Sequence, residues 1–204
     1  MQSIAKPGLA EQTINKSRFV AVAEHCTDER AVSLCLRQLA SAHASAHHLA
    51  FAFRLKTDQG IVQRFHDAGE PSGTAGKPIL QFIEGRNLVN VCVAVVRYYG
   101  GINLGTGGLA RAYGGTAKLA LEAAQIMEFV EMRELRLVVD YAHFDACCRE
   151  LERQRGVLLD KQFGERVALT ISLPVAAAED FLRRYRYGCR ILLALPLAVF
   201  LRSF

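Results

Sequence analysis

Apolar and polar positions along this chain repeat in two rhythms, and the changes of rhythm mark its elements. In "TINKSRFVAVAEH", Ile14, Phe19, Val20 and Val22 stand among polar residues as on one half-buried strand. Asp28 follows as an N-cap, and Val32, Leu36 and Leu39 recur at helical spacing to about His43. "LAFAFRL" and "GIVQRF" form an expected hairpin across Thr57–Gly60, and a short helix is expected from Pro78 to Ile83. "LVNVCVAVVRYY" is apolar at nearly every position, the pattern of a strand covered on both faces. Gly105–Gly108 then leads into a long helix with Leu109, Tyr113, Thr116, Ala120 and Ala123 on one face. Inside it, Gly114 and Gly115 each cost about 1 kcal/mol relative to alanine, so close packing of helix on sheet is their expected purpose.

The rest of the chain is a second α/β unit, joined to the first near residues 127–132. Leu135, Leu137, Val139 and Tyr141 alternate as a strand, and Phe144, Cys147/Cys148 and Leu151 mark a helix ended by Gly156. "VLLDKQF" and "RVALTISL" read as a hairpin, Pro174 opens another helix, and the apolar tail supplies a last strand. The order β-α-β-β-α-β is that of a ferredoxin-like domain. Pro196 within the tail argues for an edge strand or for its end.

Composition adds little to this picture but narrows the function classes. A chain of 204 residues that is 51% hydrophobic and 22% charged is that of a globular protein with one sizeable core or two modest ones. The net charge of +5 admits an acidic partner, yet it falls short of the dense basic stripe that argues nucleic-acid binding unaided. The start, "MQSIAKPGLAEQ", shows no apolar core of a signal peptide, and the 11-residue run "ILLALPLAVFL" is too short to span a bilayer. Six cysteines with no Cys-x-x-Cys pair then read as reduced thiols in the cytoplasm. His43, His47 and His48 lack the spacing and thiolate company of a zinc site, so no metal is expected.

The candidate chemistry lies in two segments, "RFHDAGEPSGTAGKPIL" (Arg64–Leu80) and "RYYGGINLGTGGLARAYGG" (Arg97–Gly115). Gly105, Gly107 and Gly108 lie between a buried strand and a helix start, where free N–H groups can face an anion. Thr106 adds a hydroxyl, Arg97 and Arg111 add charge, and Lys77 joins them as a phosphate contact if the segments converge. No Gly-Lys-Ser/Thr closes the turn, so it is not a P-loop. In the first segment, Asp67 and Glu70 suit acid and base, with Ser72 or Thr74 as nucleophile and His48 or His66 as activator. The plainer reading has Ser72 and Thr74 capping the following helix while Asp67 and Glu70 bond loop amides. Of adjacent Tyr98 and Tyr99 one must face the core, and the other offers a stacking surface. Of His47 and His48 one must likewise point inward, while His25, His43 and His143 read as surface residues.

"DAGEPSGTAGKPIL" followed by "VVRYYGGINLGTGGLARAYGG" resembles the IMPACT/YigZ family, known from bacteria to mammals. Asp67, Gly69, Glu70, Pro71, Gly73, Thr74, Gly76 and Pro78 match its first motif, and His48 occupies the place of its Ala-x-His segment. Arg97, Tyr98, Tyr99, Gly100, Gly101, Gly105, Gly107, Gly108 and Tyr113 match the second. Ala68 stands where the family often has a second Asp, and Ala50 where it often has Cys, which weakens any mechanism needing a paired carboxylate or a thiol here.

The resemblance implies an α+β protein of two domains. Residues 1–130 would have the fold of ribosomal protein S5 domain 2, and residues 131–204 would be ferredoxin-like, similar to the C-terminal domain of elongation factor G. Eukaryotic relatives regulate translation with an additional N-terminal domain that this chain lacks. The leading expectation is a non-enzymatic cytoplasmic regulator of translation that needs no cofactor and binds RNA or a ribosomal component. Its contacts would be Lys77, Arg97, Tyr98, Gly105, Thr106, Gly107, Gly108 and Arg111, beside the polar cluster His48, Asp67, Glu70, Ser72 and Thr74. The alternative is an enzyme acting on a phosphorylated small molecule or a peptide, with Asp67, Glu70 and His48 as its acid–base residues. No membrane association is expected, and the C-terminal strand is a candidate homodimer contact.

Overall fold

The computed structural model describes residues 1–184, 189–194 and 198–201, with side chains through residue 184. Two compact units emerge, Met1–Phe129 and Val130–Arg202. The first is built on a five-stranded antiparallel sheet in the order β2-β3-β6-β4-β5. Its strands are β2 (Gly8–Ile14), β3 (Ser17–His25), β4 (His48–Thr57), β5 (Gly60–His66) and β6 (Val91–Tyr98). A short β1 (Gln2–Lys6) pairs instead with the opening residues of β7 (Gln125–Val139).

Central β6 is covered on both faces, as its unbroken apolar run requires. Val91, Val93 and Val95 point to a core shared with α2 (Gly76–Gly85) and α3 (Gly105–Ala123). Cys92 and Ala94 point to the opposite face, where Val32 and Cys35 of α1 (Glu29–Ala42) pack. Alternation continues past the apolar run, so Arg97 belongs to the α2/α3 face and Tyr98 to the α1 face. The register then fixes their neighbours: Arg97 stands opposite Phe19 of β3 and His48 of β4.

"TINKSRFVAVAEH" is not one strand. It bends at Asn15 (φ 44) and Lys16 (φ 63), two consecutive left-handed residues that form the tight turn between β2 and β3. The cap expected of Asp28 is present, its carboxylate accepting the Ala31 N–H at 2.8 Å. The two helix glycines differ. A Cβ on Gly114 would meet Phe82 at 2.9 Å and Pro78 at 3.4 Å, so this residue admits a neighbouring helix rather than the sheet. Gly115 has only the Gln12 amide at 3.6 Å.

The second unit runs β7, α4 (Tyr141–Arg153), β8 (Val157–Phe163), β9 (Val167–Pro174), α5 (Val175–Arg184) and β10 (Cys189–Ala194), with β11 (Ala198–Leu201) also on β7. Antiparallel pairing gives the order β8-β9-β7-β10, the arrangement of a ferredoxin-like sheet. Leu135, Leu137, Leu169 and Ile171 form its core with Cys147 and Leu151 of α4 and Phe181 of α5. The apolar tail supplies β10 and β11 where one last strand was expected; Pro196 lies outside the described residues. The architecture is therefore α+β in two domains, one S5 domain 2-like and one ferredoxin-like. No described helix is long and apolar enough to cross a membrane.

Candidate functional site

The polar loop between β5 and α2 turns inward. Glu70 Oε1 accepts from Arg97 Nη1 at 2.7 Å and from the Tyr113 hydroxyl at 2.8 Å. The Glu70 and Arg97 side chains are each only 5% exposed. Arg97 also donates through Nη2 to Ser17 Oγ at 3.3 Å, and that oxygen receives the Gly100 N–H at 3.2 Å. The guanidinium lies 5.5 Å from the Phe19 ring centre and 5.2 Å from that of Tyr99, between two aromatic faces. Its Nε is buried without a hydrogen-bond partner among the described residues. Tyr113 packs edge-on against Phe19 at 5.2 Å. Burial, then the hydrogen bond to the Glu70 carboxylate, pushes its phenol well above the ordinary range.

His48 completes the group from the neighbouring strand. Its Nδ1 donates to the Ala68 carbonyl at 2.9 Å, leaving Nε2 3.8 Å from Glu70 Oε1. Ala68 holds a left-handed backbone (φ 53), a conformation in which Asp or Asn is more at ease than alanine.

Asp67 has a different task. Oδ2 accepts the Gly73 N–H at 2.8 Å, and Oδ1 accepts those of Ala75 at 3.0 Å and Gly76 at 2.8 Å. Burial works against its ionisation, but the bonds from Gly73, Gly76 and Ala75 outweigh it and hold the carboxyl below its usual range. Asp67 thus caps α2 from nine residues away, in place of the expected Ser72 and Thr74. Ser72 is exposed, and Thr74 Oγ1 donates back to the Pro71 carbonyl at 2.6 Å. Both carboxylates of the segment are therefore engaged within the protein, Asp67 by loop and helix amides and Glu70 by Arg97 and Tyr113.

The residues expected to contact phosphate divide in two. Lys77, Gly105, Thr106, Gly107 and Arg111 are exposed and Gly108 is half-buried, and α3 begins without a side-chain cap. Arg97 is not at the surface: it is buried and ion-paired, so its charge is already matched. Tyr98 is also turned away, its hydroxyl 2.8 Å from His43 Nδ1, whereas Tyr99 is 39% exposed and donates its hydroxyl to Asn103. His25 and His43 are half-buried rather than superficial, His25 lying 3.0 Å from Ser3 Oγ. The structure thus brings His48, Glu70 and Arg97 together, sets Asp67 and Thr74 in the same loop, and leaves the Gly105–Gly108 turn without a hydrogen bond to that group among the described residues.

Ser17 and Tyr113 were absent from the expected site. Both are legible afterwards: Ser17 lies two residues before inward-facing Phe19, and Tyr113 shares the inner helix face with Leu109.

What the fold and this network define is a two-domain α+β protein whose first domain carries an inward-folded, glycine-rich polar loop. The Impact N-terminal domain matches residues 15–121, and a domain of unknown function (DUF1949) matches residues 137–184. The chain is 33% identical to the IMPACT family member YigZ of Escherichia coli (strain K12) over 178 residues, 87% of either chain. It is 34% identical to an IMPACT family member of Haemophilus influenzae over 172 residues, 84% of either chain. A crystal structure of a hypothetical protein, 30% identical, superposes with a TM-score of 0.65 over 96% of this chain and 97% of that one. The chain belongs to the IMPACT family.

Proposed function

We propose that this protein is a non-enzymatic, cytoplasmic regulator of translation that holds RNA or a ribosomal component through phosphate groups. The observation that carries the reading is the exposed turn at the start of α3. There the Gly105–Gly107 amides have no side-chain cap, Arg111 is one helical turn onward, and its Nη1 lies 3.4 Å from where a Gly107 Cβ would stand. Neither Arg111 nor Lys77 is ion-paired among the described residues, so both charges are free for a partner. Tyr99 supplies a stacking face in place of Tyr98. Translation regulation is the function of the eukaryotic relatives, and the internal engagement of Asp67 and Glu70 favours binding over turnover.

Fluorescence anisotropy with a labelled single-stranded RNA tests the reading. Arg111→Ala and Lys77→Ala are expected to weaken binding and to flatten its logarithmic salt dependence by roughly 0.7–0.9 for each phosphate group no longer held. Wild-type affinity and salt slope in both folded variants would remove the assignment.

A further inference from the structure

A cavity of about 380 Å³ opens between the end of α1, the segment entering β4 and the end of β5. Four imidazoles line it, His43, His47, His48 and His66, against an apolar wall that includes Leu49 and Val96. Among the described residues, no carboxylate, lysine or arginine lines it.

The backbone decides what two of those rings can offer. Tyr99 N–H donates to His47 Nδ1 at 3.2 Å, and Ala68 N–H donates to His66 Nδ1 at 3.1 Å. A nitrogen that accepts carries no proton, so each neutral ring bears its proton on Nε2. A ring held this way does not ligate a metal through Nε2, because a ligating imidazole keeps that lone pair free and donates from its other nitrogen. It donates to its occupant. His48 is held the opposite way, donating from Nδ1 to the Ala68 carbonyl. His66 is fixed by stacking on Phe51 at 5.7 Å, and His47 lies edge-on to Tyr99 at 6.5 Å. Two fixed N–H donors on different elements suit an occupant with several acceptor oxygens, and the volume suits a small molecule, since such pockets run to roughly 300–1,000 Å³.

We propose that this cavity seats the phosphate of a free phosphomonoester of mononucleotide size, with the Nε2–H groups of His47 and His66 donating to its oxygens and the apolar wall taking its body. Neither Lys77, Arg111 nor the Gly105–Gly108 turn lines the cavity, and the proposal stands whether or not they bind RNA. In long-range ¹⁵N spectra of the full chain, His47 and His66 are expected as Nε2–H tautomers. AMP is expected to shift both rings and adenosine neither. His47→Asn and His66→Asn keep an acceptor for the backbone N–H while removing the donor from the Nε2 position, which the shorter amide NH2 does not reach. Each is therefore expected to weaken AMP binding about tenfold at unchanged melting temperature. His66→Gln, which returns an N–H near the original position, is expected to recover part of that affinity. The proposal is overturned by an Nδ1–H tautomer at either ring, by equal binding of AMP and adenosine, or by binding of neither. Zinc chloride shifting both Nε2 resonances overturns it too, as does a 5′-phosphorylated RNA oligomer that shifts the rings when AMP does not.

Discussion

Glu70 and Arg97 meet at 2.7 Å inside the first domain, twenty-seven residues apart in sequence, with 5% of each side chain exposed. Removing one partner leaves the other charge buried and unmatched, which typically costs about 3–5 kcal/mol. Arg97→Ala and Glu70→Ala are each expected to lower unfolding free energy in urea by that order. Glu70→Gln, which keeps an acceptor for both Arg97 and Tyr113, is expected to cost less. Losses below about 1 kcal/mol for both alanine variants would show that the pair contributes little. RNA affinity of any Arg97 variant is interpretable only after this measurement.

Asp67 links stability to acid. Its folded pKa lies below the ordinary value of 3.8, so its contribution is present in full above that value and is lost as pH falls through the folded one. Asp67→Asn is expected to be less stable than wild type at neutral pH by about 1–2 kcal/mol, because its Nδ2 cannot accept the Gly73 N–H and the bonds to Ala75 and Gly76 lose their charge assistance. The gap in melting temperature should close as pH falls below about 4. A gap of constant size between neutral and strongly acidic solution would mean that the carboxylate's charge is not the cause.

The paired glycines of α3 are expected to respond in opposite directions. Gly115→Ala meets only the Gln12 amide at an ordinary separation, so it should stabilise the protein by up to about 1 kcal/mol through helix propensity. Gly114→Ala must displace the Phe82 ring, 2.9 Å from the new methyl, and should not stabilise. Thermal unfolding of the two single variants checks the contrast, and a stabilised Gly114→Ala protein would refute the packing argument.

Residues 1–129 are expected to fold alone. Their sheet is covered on both faces by their own helices, with Tyr113, Phe19, Ile79 and Leu121 fully buried among them. The fragment should give cooperative thermal unfolding and resist limited proteolysis. A soluble fragment without either property would place the boundary elsewhere.

The helices and inner strands were legible because their patterns are local. Val32, Leu36 and Leu39 declare a helix without reference to anything distant, and the unbroken run of β6 declares a strand covered on both sides. The turn at Asn15–Lys16 was not legible: Asn suits a left-handed residue, but Lys in the second place hides the signal that glycine would have given. The Glu70–Arg97 pair was hidden for another reason. A segment so rich in Asp, Glu and Thr suggested an outward surface, whereas Glu70 turns in to a cation supplied by sheet register. The clue was present in parity, since Arg97 follows Val91, Val93 and Val95 at intervals of two. What parity does not tell is which carboxylate waits there, because that depends on a loop reaching across from β5.

Two glycines of the second motif resist replacement for unlike reasons, and the difference governs how the motif can drift. Gly105 has φ +68 and open space where a Cβ would stand, so only its backbone conformation excludes other residues, and asparagine or aspartate can follow it. At Gly100 any side chain would strike the Lys16 carbonyl and the Ser17 amide, which the backbone itself approaches. In a saturation library selected for folded protein, position 105 should therefore return a few residue types and position 100 only one. A lineage can lose the first glycine and keep its loop; losing the second pushes β3 away and takes with it the Ser17 hydroxyl against which Arg97 is set.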